Sequence, residues 1–296
     1  MANLKEVRNR IVSVGSTQQI TKAMKMVSAA KLKRATNAIV QLRPYANKLK
    51  EILGNLSANL EAASSPYLQQ REPNKVLIVV ISSNRGLAGA FNANVIKAAN
   101  LLISSKYAEQ YSKGNVSIVA VGKKVQDFYE KRKYNVIGNN NELYGALTFE
   151  NTSKITDAIM EGFVNGSFDR VEVIYNHFKN AAMQEILTEQ LLPVVKTASE
   201  TKVKKIPSSV DYILEPSQEE IVNQLIPKSI KTQLYKAVLD SHASEHGARM
   251  TAMDKATDNA GELLRSLKLS YNQARQAAIT TELTEIVSGA AALSNG

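Results

Sequence analysis

The chain has 296 residues, 44% of them hydrophobic, and its 37 basic and 27 acidic side chains give a net charge of +10. This apolar content is enough to form a core, and the absence of cysteine excludes disulfides, thiolate zinc sites and thiol catalysis. The absence of tryptophan argues against a base-stacking surface. The longest apolar run, Val76–Ile81, is far shorter than the ~18 residues of a membrane span. Because the N-terminus has no apolar signal core, we expect a soluble, intracellular protein that reaches a membrane only through partners.

The first 60 residues predict one long basic helix. Apolar residues repeat at steps of 3 and 4 from Leu4 to Val14, and again from Ala35 to Leu56, which is the seam of a coiled coil. We expect Pro44 to kink or interrupt this helix, because proline removes a backbone hydrogen bond. Residues 1–60 hold 11 basic and two acidic side chains. This charge is consistent either with a solvated helix face or with a negative partner: nucleic acid, lipid head groups or an acidic protein.

After a linker at residues 61–74, the apolar pattern becomes that of an α/β domain at residues 75–216. Short continuous apolar runs predict strands that are buried on both faces, and helical stretches separate them. Strands that alternate with helices predict a parallel, helix-flanked, Rossmann-like sheet. The predicted strands are Val76–Ile81, Val116–Val121, Arg170–Phe178 and, as a possible last strand, Val210–Leu214.

Residues 217–296 predict a second long helix. Ser217 and Glu220 have the spacing of a capping box, and an apolar stripe continues as far as Ile286. Pro227 either kinks this helix or marks its true start. Neither terminal helix can bury its stripe alone, so we predict that the two pair as an antiparallel coiled coil projecting from the domain. The predicted fold class is therefore α/β, with two long terminal helices and a central Rossmann-like domain.

No segment has the pattern of an active site. The turn at residues 82–91 follows a strand and precedes a helix, as phosphate-binding loops do, but its glycine spacing is G-x-x-G rather than G-x-G-x-x-G. We interpret it as a structural turn. His242 and His246 lie one helical turn apart, but a zinc site needs a third ligand, so we expect both to be solvated surface residues. We expect His177, alone at a strand end, to be structural.

Four segments resemble the gamma subunit of F-type ATP synthases. They are I-T-K-A-M-K-M-V at residues 20–27, S-N-R-G-L-A-G-A-F-N at 83–92, A-R-M-T-A-M with A-T-D-N within 248–259, and A-R-Q-A-A-I-T-T-E-L-T-E-I-V-S-G-A at 274–290. The resemblance covers the whole chain in order, and the last segment is highly specific. The second departs from the family at Asn84, Ala88 and Ala90, where Asp, Cys and Gly are usual.

The resemblance implies that the chain is the central rotor shaft of an F-type ATP synthase. Such a shaft couples proton flow through the membrane sector to ATP synthesis or hydrolysis and regulates ATPase activity, without being catalytic itself. The implied partners are three alpha and three beta subunits of the catalytic ring, the epsilon subunit and the membrane ring of proton-carrying c subunits, with no nucleic acid. We expect no cofactor and a peripheral location at the cytoplasmic face of the bacterial inner membrane.

The family's coupling positions carry over to seven residues that are expected to contact the ring. They are Lys22, Met24, Arg249, Gln276, Thr280, Glu282 and Glu285. Met24, taken alone, fits a core methionine equally well. Two other classes of protein remain open: a nucleic-acid or membrane-surface binder that uses the basic helix, with binding that falls steeply between ~50 and 200 mM salt, and an enzyme that binds nucleotide at residues 83–91.

Overall fold

A computed structural model of the chain describes residues 4–57, 65–194 and 218–294. The chain divides into two compact units, one within Ala29–Arg249 and the other formed by Met1–Ser28 with Met250–Gly296. Two long helices, α1 (Leu4–Ser57) and α6 (Gln218–Ser294), contribute residues to both units. No helix in the described ranges has an apolar stretch long enough to cross a membrane.

The larger unit is built on a five-stranded sheet in the order β3-β2-β1-β4-β5. The strands are β1 (Val76–Ile81), β2 (Val116–Val121), β3 (Asn135–Val136), β4 (Arg170–Phe178) and β5 (Gln184–Leu192). Neighbouring strands are parallel except β4 and β5, which are antiparallel. The shorter helices are α2 (Phe91–Lys106), α3 (Ala108–Ser112), α4 (Lys123–Lys131) and α5 (Phe149–Val164).

Strand β1 lies at the centre of the sheet and supplies a core to each face. Its six residues are all buried, and alternate side chains point to opposite faces of the sheet. Leu77, Val79 and Ile81 pack into one core with residues of α5 and α6. Val76, Ile78 and Val80 pack into the other core with residues of α2 and α4. The sheet is therefore covered by helices on both faces, as its continuous apolar strands predict.

The two long helices pair in each unit. In the larger unit, Ala35 and Ile39 of α1 form an apolar cluster with Leu239 and Ala243 of α6. In the smaller unit, Gln18 of α1 donates to the carbonyl of Thr257 and Lys25 forms an ion pair with Asp254. Residue numbers rise along α1 while their partners' numbers fall along α6, so this pairing is antiparallel. These contacts confirm the predicted pair of terminal helices.

Strands β1, β2 and β4 have the bounds that the sequence predicts, whereas other expectations need correction. The antiparallel β5 and the short β3 were not predicted, and the expected strand Val210–Leu214 lies outside the described residues. Of the two effects expected of Pro44, a kink or an interruption, the interruption is wrong, because α1 continues through it. Pro227 lies inside α6 rather than at its start. One lost backbone hydrogen bond does not end a helix whose stability comes mainly from tertiary packing.

Candidate functional site: a helix seated at the carboxyl edge of the sheet

The carboxyl ends of β1 and β4 form the position where doubly wound sheets usually bind ligands. In the strand order, β2 lies on one side of β1 and β4 on the other, so the strand order reverses between β1 and β4. In doubly wound sheets, a crevice opens at the carboxyl ends of the strands at such a point. Here α6 occupies that position. Its Ser244 hydroxyl donates to the carbonyl of Asn176 in β4 at 3.0 Å, and its Arg249 guanidinium reaches the turn after β1. A segment of this chain thus lies where a ligand would bind in related architectures.

We call residues 240–249 of α6 the polar collar. Most of these side chains are polar, yet nearly all are buried, and Asp240 is 0% exposed. A helix buried around its whole circumference is normally apolar. The collar is therefore an exception whose polar groups need partners, since burying an unpaired polar or charged group is costly.

Arg249 holds the turn between β1 and α2. Its guanidinium donates to the carbonyl oxygens of Arg85 and Gly86, at 3.4 and 3.3 Å, and pairs with the Glu245 carboxylate at 2.7 Å. Burial raises the pKa of Glu245, and the positive charge of Arg249 opposes that rise. Because Arg249 is 8% exposed, its side chain serves contacts within the chain.

The polar groups of the turn bind to the chain itself. Asn92 Oδ1 accepts from the backbone amide of Ser83 at 3.0 Å, and the Ser83 hydroxyl donates to the Arg85 carbonyl at 2.6 Å. Asn84 accepts from the amide of Lys123 and donates to the carbonyl of Asn141. These bonds support the interpretation of residues 82–91 as a structural turn rather than as a nucleotide-binding loop.

The expectation that His242 and His246 are solvated is wrong. Their Nε2 atoms lie 3.1 Å apart, the His242 ring stacks on Tyr144, and His246 is 5% exposed. Burial lowers the pKa of His242 to about 4, and the charges of Lys31 and Arg249 add to this. Burial also lowers the pKa of His246 to about 3, with His242 and the same two cations adding to the shift. Both rings are therefore neutral at pH 7. Within the described ranges, no three His, Asp or Glu side chains are grouped to hold a metal ion.

A polar network around the buried Asp240, which sequence reasoning missed, joins three elements at the other side of the collar. Asp240 Oδ2 lies 3.0 Å from Nδ1 of His177, at the end of β4, and Asp240 Oδ1 lies 3.5 Å from Nη2 of Arg43 in α1. The sequence carried one available signal: Asp240, Ser244 and Gly247 have the i, i+4, i+7 spacing of one helix face. Polar and small residues at these positions mark a face that packs closely against another backbone.

In the smaller unit, the first helix presents two of the predicted contact residues. Lys22 is exposed and Met24 is half-buried. Beside them, the Thr257 hydroxyl donates to that of Thr21 at 2.8 Å, and Lys25 pairs with Asp254. These polar contacts fix the register of the helix pair next to Met24.

The end of α6 carries the other four predicted residues on an open surface. Gln276, Thr280, Glu282 and Glu285 are all exposed, and the Thr280 hydroxyl donates to the Gln276 carbonyl at 2.9 Å. All side chains of residues 275–291 are exposed. They include large apolar residues at 48–66% exposure: Ile279, Leu283, Ile286 and Val287. Arg249 belongs to the other unit.

Comparisons with known proteins agree over the whole chain. A family model described as ATP synthase matches residues 3–293. The ATP synthase gamma chain of Cytophaga hutchinsonii is 55% identical over 296 residues, which is 100% of both chains. A chain of the central stalk and c-ring structure of Tetrahymena thermophila mitochondrial ATP synthase is 26% identical, with a TM-score of 0.56, and the match covers 80% of this chain and 99% of that one. A chain of the Euglena gracilis mitochondrial ATP synthase shares the fold, with a TM-score of 0.68 at 22% identity over 98% and 94% of the two chains.

Proposed function

The chain belongs to the ATP synthase gamma chain family, and we propose from this premise how its surfaces serve the non-catalytic central stalk of the rotor. In this proposal the larger unit receives rotation from the membrane ring of c subunits, together with the epsilon subunit. Helix α6 then carries that rotation to a ring of three alpha and three beta subunits, where ATP is made or hydrolysed. In this proposal the chain has four parts: an N-terminal coiled-coil helix at residues 1–60, a linker at 61–74, an α/β domain at 75–216 and a C-terminal coiled-coil helix at 217–296.

One observation carries the proposal: the end of α6 is an apolar helix face that none of the residues described by the structure covers. Ile279, Leu283 and Ile286 follow the i, i+4, i+7 spacing, so they share one side of the helix, and all three are about half exposed or more. A large exposed apolar face marks a surface that a partner covers. The partner proposed here is the inner wall of the catalytic ring.

The predicted coupling residues receive two different roles in this proposal. Lys22 and Met24 on α1, and the exposed residues Gln276, Thr280, Glu282 and Glu285 on α6, face the ring directly. Arg249 acts within the chain, by holding the turn after β1. The chain belongs to a membrane-associated complex. Its more specific location, which we propose, is the peripheral position at the cytoplasmic face of the bacterial inner membrane, attached through its partners alone.

Replacing Met24 by lysine tests the proposed shaft role. Because Met24 is half-buried, the lysine side chain can extend its ammonium group to the surface, so the fold should survive. A new charge facing the ring favours some angular positions over others and opposes smooth rotation. We therefore expect near-normal ATP hydrolysis and a severalfold fall in ATP-driven proton pumping per ATP hydrolysed, measured on membrane vesicles that carry the assembled enzyme.

Met183→Lys is the matched control. It makes the same change at a methionine that is 58% exposed and lies outside both terminal helices. This variant should pump as the unchanged enzyme does. Normal proton-driven ATP synthesis by an assembled Met24→Lys enzyme would contradict the proposed function.

A further inference from the structure

The polar collar contacts the sheet on two opposite sides of helix α6. Residues 240, 244 and 247 share one face of the helix, and residues 242, 245 and 249 share another. Since residue 249 is nine positions from residue 240, the two faces lie about 180° apart. A contact on one face alone would leave a helix free to roll, but contacts on two opposed faces do not.

The first face lies against the end of β4. Asp240 pairs with His177 at 3.0 Å, and the Ser244 hydroxyl bonds the Asn176 carbonyl at 3.0 Å. Gly247 has no side chain at the point where the helix meets the backbone of Ala181. A Cβ at Gly247 would lie 3.3 Å from both Cα and the carbonyl oxygen of Ala181. The helix therefore approaches this side so closely that even an alanine side chain would fit tightly.

The opposite face lies against the turn after β1. Arg249 bonds the carbonyls of Arg85 and Gly86 at 3.4 and 3.3 Å, and the ring of His242 stacks on Tyr144 with 5.7 Å between ring centroids. The strands β1 and β4 are adjacent and pair in parallel from Val76 with Arg170 to Val80 with Ile174. The two faces of the collar thus contact the carboxyl end of β4 and the turn that follows the adjacent strand β1.

Directional bonds hold an angle in a way that apolar packing does not. Replacing a buried ion network by apolar side chains of similar size often leaves stability unchanged or increased, whereas buried polar groups can fix which register two elements adopt. The chain nevertheless keeps a fully buried carboxylate at Asp240, with His177 Nδ1 at 3.0 Å from Oδ2 and Arg43 Nη2 at 3.5 Å from Oδ1. Such an arrangement often adds little to stability, whereas buried polar groups can fix a register.

We propose that the polar collar is a rotational lock, and that Asp240 is its main positioning residue. Through His177 and Arg43, Asp240 stops α6 from turning about its own axis against the sheet when torque passes between them. This inference rests on the proposed shaft function. It adds residues that touch neither the catalytic ring nor the membrane.

Replacing the whole Asp240 network by apolar side chains distinguishes an effect on rotation from an effect on the stability of the fold. The variant carries Arg43→Met, His177→Phe and Asp240→Leu. We expect the full chain to unfold at an unchanged or higher urea concentration and the assembled enzyme to hydrolyse ATP. A hydrogen bond is worth a preference of roughly fivefold for one angle of α6, so we expect proton pumping per ATP hydrolysed to fall by up to about fivefold.

A second buried network on the same strand is the matched control. Glu172 of β4 is 2% exposed and accepts from Lys106 and from Tyr107, each at 2.6 Å, without contacting the collar. The control variant carries Lys106→Met, Tyr107→Phe and Glu172→Leu. It should couple pumping to hydrolysis as the unchanged enzyme does. Equal loss of coupling in both variants would overturn the lock, because it would show a general effect of lost polar groups.

Two further variants make each outcome decisive. If the apolar variant does not assemble, Asp240→Ala removes the contacts of this side chain with His177 and Arg43, and normal pumping by that variant would overturn the proposal. Met24→Lys is measured in the same vesicles. Normal pumping by Met24→Lys would refute the shaft function itself, whereas uncoupling by Met24→Lys with normal pumping by the apolar variant would refute only the lock.

Discussion

Replacing Gly122 by alanine is expected to lower the free energy of unfolding by about 4 kcal/mol, the largest effect that we expect from adding a single methyl group. Gly122 follows β2 and has a φ of 108° and a ψ of 139°, a combination that other residues adopt only at high cost. An added Cβ would also lie 2.8 Å from both the carbonyl carbon and Oγ of Ser82, and closer still to its carbonyl oxygen.

Ser82 cannot move aside to relieve this contact. It is fully buried, and its amide donates to the Val121 carbonyl at 2.8 Å. Its carbonyl oxygen accepts from the Tyr144 hydroxyl at 2.7 Å, and its own hydroxyl accepts from the amide of Val125. Since Tyr144 also stacks on His242, a shift of Ser82 would disturb the carboxyl edge that seats the polar collar.

Gly114→Ala is the matched control for this prediction. Gly114 also has a positive φ, 73°, but an added Cβ there has no other atom within 4 Å. The Gly114→Ala variant should lose only about 1 kcal/mol of unfolding free energy, which is the cost of placing a side chain at a positive φ. Urea unfolding of the two full-length variants gives the comparison, and a Gly122→Ala variant no less stable than Gly114→Ala would show that the edge between β1 and β2 can relax.

Strands that are buried on both faces could be predicted from the sequence, whereas strands at the edges of the sheet could not. β1 is a continuous apolar run and β2 is one apart from Ser117, a pattern that is typical of strands covered on both faces. β5 was missed because its residues, Gln184–Leu192, mix polar and apolar side chains and are mostly half-buried at the edge of the sheet. Its assignment depends on pairing with β4, and the sequence of β5 does not encode that partner.

The prediction that the collar residues are exposed to solvent failed for a different reason. Along α6, the polar residues between Asp240 and Arg249 look like a solvent-facing helix surface, because a helical pattern reports which residues share a face but not what covers it. Their partners, Arg43, Arg85, Tyr144 and His177, lie roughly 65 to 200 residues earlier in the chain. The family resemblance identified Arg249 as a coupling position, but only the structure shows that it is buried against the turn after β1.

Lowering the pH from 7 to 5 is expected to destabilise the chain through the paired histidines of the collar. In the folded chain the pKa of His242 is about 4 and that of His246 is about 3, whereas an unfolded histidine titrates near 6.5. Between about pH 4 and 6.5 the unfolded chain therefore binds more protons than the folded chain, so the free energy of unfolding falls as the pH falls. His242 alone accounts for about 2 kcal/mol between pH 7 and 5, and His246 adds a loss of the same sign.

The geometry explains why neither ring accepts a proton easily. With 3.1 Å between the two Nε2 atoms, one ring must donate and the other accept, and a charged ring would be buried beside its neighbour. Lys31 from α1 and Arg249 from α6 both face this pair and oppose further positive charge. Glu245 opposes the trend: burial raises its pKa, so it takes up a proton more readily in the folded chain and offsets part of the loss at low pH.

A double variant, His242→Gln with His246→Gln, isolates the contribution of the two rings. Glutamine keeps a donor and an acceptor at each position but does not titrate, and Glu245, Lys31 and Arg249 remain in both proteins, so their contributions largely cancel in the difference. Urea unfolding at pH 7 and pH 5, at one ionic strength, should show the unchanged chain losing at least about 2 kcal/mol more than the variant. Equal losses of unfolding free energy in the two proteins would mean that both rings titrate in the folded chain as they do in the unfolded chain. The polar collar would then be open to water on the side of Tyr144.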